Sequence, residues 1–182
     1  MAGNVVRLPV IGVMGSHRWE HADRAEGVGR IIAEAGAHLL TGGGPGVMAA
    51  AARGFVKTRR RRGLSVGVLP SANDDPRHGA RPGYPNSWIE LPIATHLPYS
   101  GAQGTTIRSR NHINILSAAA VIVLPGGAGT RSEAELCVRY ARPTIAFLKD
   151  AKELPGLPPE IPITDRREDI EQFVARAVAR AE

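Results

Sequence analysis

The chain has 182 residues, enough to bury one core of useful size, and is read as one domain spanning 1–182. No apolar run approaches the roughly 18 residues of a membrane span, and Met1–Pro9 followed by the short apolar stretch Val10–Met14 lacks signal-peptide architecture, so a cytoplasmic protein without membrane contact is expected. With 23 Lys and Arg against 17 Asp and Glu the net charge is +6, which favours anionic partners, while the one cysteine, Cys137, excludes an intrachain disulfide and falls mid-helix at a core position.

Val10–Met14 reads as the first strand, with Gly15-Ser16-His17-Arg18 as its exit loop. Ala22–Ala35 follows as an amphipathic helix carrying Ala25, Val28, Ile31 and Ile32 at helical spacing; Gly27 and Gly29 interrupt it and Gly36 closes it as a C-cap glycine. His38–Thr41 is the second strand, Gly42–Gly46 a glycine-rich turn, Val47–Lys57 a helix and Leu64–Leu69 the third strand. Pro70–Tyr99 carries six prolines and little periodicity, the mark of a functional loop or lid, with a short strand expected within Ile89–Thr95. Thr105–Ser117 reads as a helix leading into the apolar strand Ala118–Val123. A second glycine-rich turn, Pro125–Thr130, then opens a helix over Arg131–Ala141. Pro143–Leu148 is a further strand, Lys149–Pro162 a proline-rich connection, and Asp165–Glu168 spells a capping box for a last helix running to Ala181, with Ile170, Phe173, Val174 and Val178 inward.

Strands alternating with helices imply an α/β, Rossmann-like fold: a parallel sheet with helices on both faces. Ligands of such sheets bind beyond the C-terminal strand ends, the edge where Gly15-Ser16, Gly42–Gly46 and Pro125–Thr130 all fall. A glycine turn that opens a helix suits an anion, because the first helical N–H groups lack internal partners and the dipole is positive there. Two such turns in one sheet point to a nucleotide or another phosphorylated small molecule. Neither a G-x-G-x-x-G after the first strand nor a G-x-x-x-x-G-K-[ST] is present, which counts against an ordinary NAD dehydrogenase or P-loop NTPase.

Two charged residues are candidates for chemistry. Glu133 follows the second turn; Thr130-Arg131-Ser132-Glu133 is either a capping box or a carboxylate aimed at the ligand. Arg110, with Ile107 and Ile113 three residues to either side, needs a carboxylate or phosphate partner among apolar neighbours: a structural ion pair with Glu133 or Glu135, or a ligand. Arg108 and Asn111 are solvated or ligand contacts, and His112 reads as a packing or surface residue. His17, His21, His38, His78 and His96 show no zinc spacing with a cysteine partner, so no metal site and no cofactor is inferred. The basic run Lys57 and Arg59–Arg62 reads as a solvated helix end; nucleic acid is disfavoured, since two Trp, three Tyr and three Phe supply a poor stacking platform.

Gly42-Gly43-Gly44-Pro45-Gly46-Val47-Met48 resembles the GGxxGxM turn of the Lonely guy (LOG) family, in the SLOG superfamily, and Pro125–Glu133 matches that family's PGGxGTxxE in full; the resemblance covers about residues 10–148. It implies a homodimeric, cytokinin-activating nucleoside 5′-monophosphate phosphoribohydrolase, which hydrolyses an N-glycosidic bond to free base and ribose 5-phosphate. Arg110 and Glu133 would be catalytic, and Ser16, Gly43, Gly44, Gly46, Met48, Asn111, Gly126, Gly127, Gly129 and Thr130 would hold the phosphate and nucleotide. Glu133 would stabilise charge at the sugar carbon or orient water. The chain departs from that pattern at Asn111, where the family usually has Lys, at Ser109, where it has an acidic residue, and at Ala49, where many members carry Glu. Ile11–Gly15 and Arg110-Asn111-His112-Ile113-Asn114 are similar instead to molybdenum-cofactor carrier proteins, which share the fold and bind a pterin with an anionic phosphate tail without hydrolysing it.

Overall fold

The computed structural model describes residues 7–73 and 79–180. His78 and the expected end of the last helix at Ala181 lie outside the described residues. Seven strands form one all-parallel sheet in the order β4-β3-β2-β1-β5-β6-β7. They are β1 (Val10–Met14), β2 (His38–Thr41), β3 (Ser65–Leu69), β4 (Leu91–Ala94), β5 (Ala120–Val123), β6 (Thr144–Phe147) and β7 (Ile163–Thr164). Among the described residues five α-helices flank it: α1 (Ala22–Glu34), α2 (Val47–Val56), α3 (Asn111–Ser117), α4 (Ala128–Arg139) and α5 (Arg167–Ala179). The fold is therefore the Rossmann-like α/β arrangement that the alternation of elements predicts.

The period of two along each strand sorts side chains into two cores. Ile11, Val13, Leu39, Ile122 and Phe147 face one layer, where they meet Val28 and Ile32 of α1, Val47 and Phe55 of α2, and Ile170 and Val174 of α5. Met14, Leu40, Val121, Val123 and Leu148 face the other, against Ile115 of α3 and Ala134, Leu136 and Cys137 of α4. The helical glycines, which weaken propensity, are explained by packing. A Cβ on Gly29 would collide with the Ala51 carbonyl, and one on Gly54 with the Glu26 carbonyl, so α1 and α2 approach at backbone distance. Gly36 adopts φ +77°, closing α1 in the left-handed conformation that glycine tolerates without strain.

Three local expectations are corrected. The helix expected from Thr105 begins only at Asn111. Thr106 Oγ1 donates to the Gln103 carbonyl, Ser109 Oγ accepts from the Asn111 N–H, and Ser109 bridges to Tyr99, so hydroxyls and a strand-like pair divert this backbone from the helix. Conversely α4 begins at Ala128, three residues early, which places Thr130 inside the helix and leaves no capping box at Glu133. At α5 the N-cap is Arg166 without a side-chain cap; Thr164 receives the Arg166 N–H and donates to Asp169 instead of Asp165 pairing with Glu168.

The connection after β6 is fastened to α1 by a bidentate pair, Arg24 to Glu153 at 2.6 and 2.7 Å. The Glu153 carbonyl also accepts the Gly126 N–H at 3.4 Å, so this pair stands directly behind the second glycine turn. Hydrogen bonding to Arg24 holds the Glu153 carboxyl down at about 2, against an ordinary 4.5. Its stabilisation is present above pH 4.5 and lost as pH falls towards 2. Replacing Glu153 by Gln should cost about 1 kcal/mol at pH 7, roughly 3 °C in melting temperature. The gap between wild type and variant, followed by calorimetry, should close as pH drops through that window.

Candidate functional site

The strand order reverses direction between β1 and β5: from β1 the chain builds outwards to β4, then crosses back to β5 and builds the other way. Loops leaving these two neighbours diverge, and the crevice outside their C-terminal ends is where open α/β sheets take ligands. The ladder extends past the strands here, with Leu124 N–H donating to Met14 and Ser16 N–H to Pro125 at 2.9 Å. A cleft of about 350 Å³ opens at this point.

One wall is the start of α4. Gly127, Ala128, Gly129 and Thr130 line the cleft, and the N-cap Gly127 contributes no side-chain bond, so the first helical N–H groups open onto it. Nothing lies within 4 Å of where a Gly127 Cβ would sit, which leaves room for a ligand beside the backbone. Gly126 stands one residue behind, where a Cβ would clash with the Thr130 hydroxyl. Ser16 and Asn111 also line the cleft; the Ser16 hydroxyl oxygen already accepts the N–H groups of Arg18 and Trp19.

On the floor lie Arg110 and Glu133, 3% and 8% exposed. Arg110 is not flanked by Ile107, which is 90% exposed; it is the N-cap residue of α3, and its guanidinium lies over Gly42, where a Cβ would collide with it. Its Nη1 stands 3.6 Å from Glu133 Oε1, an ion pair without a hydrogen bond, and both Nε and Nη1 are buried with no hydrogen-bond partner. Asn114 Nδ2 donates to the same Glu133 oxygen at 3.4 Å. Glu135, the other candidate partner, faces Arg131 instead. Burial pushes the Glu133 carboxyl upward, opposed by Arg110 and Asn114. The result is a buried cation in the cleft with unused donors, a configuration that a phosphate or carboxylate would complete.

The first glycine turn has a different part. Gly43, Gly44 and Gly46 do not line the cleft, although Met48 does. Part of the turn's backbone is engaged within the protein: Gly43 N–H donates to Thr41 Oγ1, the Gly43 and Gly44 carbonyls accept from Asn86, and the first N–H of α2 donates to the Ser16 carbonyl. This turn seats its neighbours instead, with Gly42 under Arg110, Gly44 under Tyr84 and Gly46 against the Ser16–His17 backbone.

Six lining residues escaped the motif reading: His17, Arg18, Arg81, Tyr84, Ser100 and Gly101. Arg81 and Tyr84 come from the proline-rich segment expected to be a loop or lid. Arg81 donates to Ser100 Oγ at 3.1 Å and to the Pro98 carbonyl at 2.6 Å. The lining thus carries Arg18, Arg81 and Arg110 against the single carboxylate Glu133. Burial, then Arg81, Arg18 and Arg110, hold the His17 imidazole below its ordinary pKa, so it is neutral at neutral pH. Elsewhere, burial pushes the Cys137 thiol up to about 12, which makes it an inert core residue. His112 bonds Tyr140 and the Thr106 carbonyl, a packing role. The basic run is partly tied down, with Arg61 bridged to Glu90 at 2.6 Å and Lys57 over the Trp88 ring. Among the described residues no group of three His, Cys, Asp or Glu could hold a metal ion, and no helix is long and apolar enough to cross a membrane.

Comparison with known proteins places this geometry among relatives. A sequence model described as the SLOG cluster4 family matches residues 8–172. An uncharacterised protein of Archaeoglobus fulgidus is 30% identical over 154 residues, covering 84% of this chain and 87% of its own length. The solved molybdenum cofactor binding protein from the phototrophic bacterium Rippkaea orientalis is similar at 29% identity with a TM-score of 0.69, covering 94% of this chain and 98% of that one. The molybdenum cofactor carrier protein of Chlamydomonas reinhardtii gives 25% identity and a TM-score of 0.65, covering 95% and 99%.

Because a methyl group at Gly42 would displace only the flexible end of Arg110, Gly42→Ala should leave the fold intact and disturb the floor. Affinity for AMP, taken as a simple phosphorylated probe and measured by calorimetry, should fall about tenfold or more, the worth of one or two charge-assisted hydrogen bonds. The melting temperature should change little.

Proposed function

The chain belongs to the SLOG cluster4 family, and on that footing we propose that it binds a phosphorylated heterocyclic small molecule as a non-enzymatic carrier of molybdenum cofactor. The observation that carries this reading is the buried Arg110, whose Nε and Nη1 lack partners on the floor of a cleft walled by the α4 N-terminus. The phosphate tail is held by the amides of Ala128, Gly129 and Thr130 together with Arg110, and the surplus of guanidinium over carboxylate suits a ligand with more than one anionic group. A cleft of about 350 Å³ is within the size range of cofactor sites. The similarity to the Rippkaea and Chlamydomonas proteins along almost the whole chain supports carriage, as do Asn111, Ser109 and Ala49, where the LOG pattern would have charged residues. Cytoplasmic location and a homodimer belong to the same reading; Leu116 on α3 and Val138 on α4, 47% and 38% exposed, offer apolar surface on one helical layer for a second copy.

A second reading is favoured by one specific feature, the Arg110–Glu133 pair on the cleft floor. As a cytokinin-type nucleoside 5′-monophosphate phosphoribohydrolase, the chain would place the Glu133 carboxylate against the ribose. Water would add to the anomeric carbon, the C–N bond would break, and the base would leave with a proton, giving ribose 5-phosphate. Ionised Glu133 would stabilise the positive charge that builds at that carbon, and Arg110 would align the nucleotide.

One pair of assays separates the readings. Incubated with molybdenum cofactor released from a molybdoenzyme, the folded protein should retain molybdenum and pterin fluorescence through gel filtration, and Arg110→Ala should lose about tenfold or more in affinity. It should release no base from AMP or isopentenyl-AMP. Failure to retain the cofactor, with base release that disappears in Glu133→Gln, would establish the hydrolase in its place.

A further inference from the structure

The lining of the cleft divides chemically. Arg110, Arg18, Arg81 and the start of α4 supply charge and N–H groups, whereas Tyr84, His17 and Met48 supply flat or polarizable surface. The Tyr84 and His17 rings are stacked, with centroids 6.0 Å apart and planes 22° apart, and the Tyr84 hydroxyl lies 3.2 Å from His17 Nδ1.

This surface is built and held. Tyr84 lies so close over Gly44 that a Cβ there would come within 2.7 Å of its Cζ, and the same Cβ would come within 2.8 Å of Met48 Cε. On one side Tyr84 N–H donates to the Arg81 carbonyl at 3.0 Å, while the Arg81 guanidinium bonds Ser100 and Pro98. On the other, Asn86 donates from its N–H to Gly43 and from Nδ2 to Gly44, at 2.8 and 2.7 Å. A segment without helical or strand periodicity is thus fastened at several points, and the fastenings fix one aromatic ring beside an anion-binding floor. An aromatic face held in place gives stacking energy without an ordering cost on binding. Because His17 is neutral, the pair adds no charge to the patch, and a planar, uncharged ring system is its natural complement.

We propose that Tyr84, backed by His17 and Met48, is the specificity determinant of this cleft, stacking on the planar nitrogen heterocycle of the ligand. The ligand class is then a phosphorylated fused-ring heterocycle, a pterin or a purine, in preference to a sugar phosphate or inorganic phosphate. This rests on the reading that the cleft binds a phosphorylated small molecule, and adds the residue that reads the ring.

The test is titration of ribose 5-phosphate, AMP and neopterin monophosphate into wild type, Tyr84→Ala and Tyr84→Phe, in the cold, with chromatography confirming that AMP stays intact and melting curves confirming fold. Wild type should bind at least one ring-bearing ligand about tenfold or more tighter than ribose 5-phosphate, the size of one base–aromatic stack. Tyr84→Ala should abolish that preference while leaving ribose 5-phosphate affinity unchanged, and Tyr84→Phe should keep most of it. Whichever of AMP and neopterin monophosphate shows the larger preference identifies the ring. Equal binding of all three by wild type would overturn the proposal and leave the phosphate reading standing. So would a preference that survives Tyr84→Ala, or an equal loss for all three ligands in that variant. Binding of none by wild type would overturn both.

Discussion

The arrangement turns on a guanidinium that the protein buries and does not satisfy. Arg110 is 3% exposed, faces one carboxylate at 3.6 Å and leaves Nε and Nη1 without hydrogen bonds. Each unmade bond of a buried polar group costs about 1–3 kcal/mol, more where the group is charged. A fold of ordinary marginal stability carries such a cost where something else completes the site. Much of the local structure exists to hold this residue. Gly42 lacks the side chain that would evict it, α3 begins directly after it, and Glu133 and Asn114 fix the carboxylate beside it. The α4 N-terminus then brings further donors to the same space.

The sheet explains why these pieces meet. Strand β1 pairs with both β2 and β5, and the chain builds in opposite directions from that seam. The exit loops of β1 and β5 therefore part above it, and Ser16 of the first bonds Pro125 of the second on one side and Val47, the start of α2, on the other. The glycine turns divide the labour. The one after β5 lines the cleft with the start of a helix, whereas the one after β2 bonds Thr41 and Asn86 and acts as a floor on which Arg110, Tyr84 and the Ser16–His17 backbone rest. A carrier and a hydrolase could both use this frame, and they differ in what Glu133 does: in one the carboxylate is only the buried counter-ion to Arg110, in the other it must also stabilise the charge that builds at the sugar carbon.

What was legible in the sequence follows from how local each signal is. The parallel α/β plan showed because apolar strands and amphipathic helices alternate, and Pro125–Thr130 showed as a strand-to-helix turn because its glycines sit between two such elements. Charge and motif single out Arg110 and Glu133, both of which line the cleft, but say nothing of their surroundings. Spacing put Ile107 beside Arg110 on a helix, whereas the hydroxyls of Thr106 and Ser109 hold that backbone as a turn and leave Ile107 in solvent. Thr130–Glu133 spells a capping box only for a helix that begins at Arg131; with Gly127 as N-cap, Thr130 is already helical. Arg81 and Tyr84 gave no signal, since isolated contacts such as Asn86 to the Gly43 and Gly44 carbonyls fix them, and such contacts have no period to read.

The most direct measurement is a crystal structure of the chain with a phosphorylated ligand bound, AMP being the simplest to supply. Phosphate oxygens should lie within hydrogen-bond distance of the Ala128 and Gly129 amides, with at least one of Arg110 Nε and Nη1 newly bonded to the ligand. A phosphate found away from α4, or one bound there while both Arg110 nitrogens stay without partners, would contradict it.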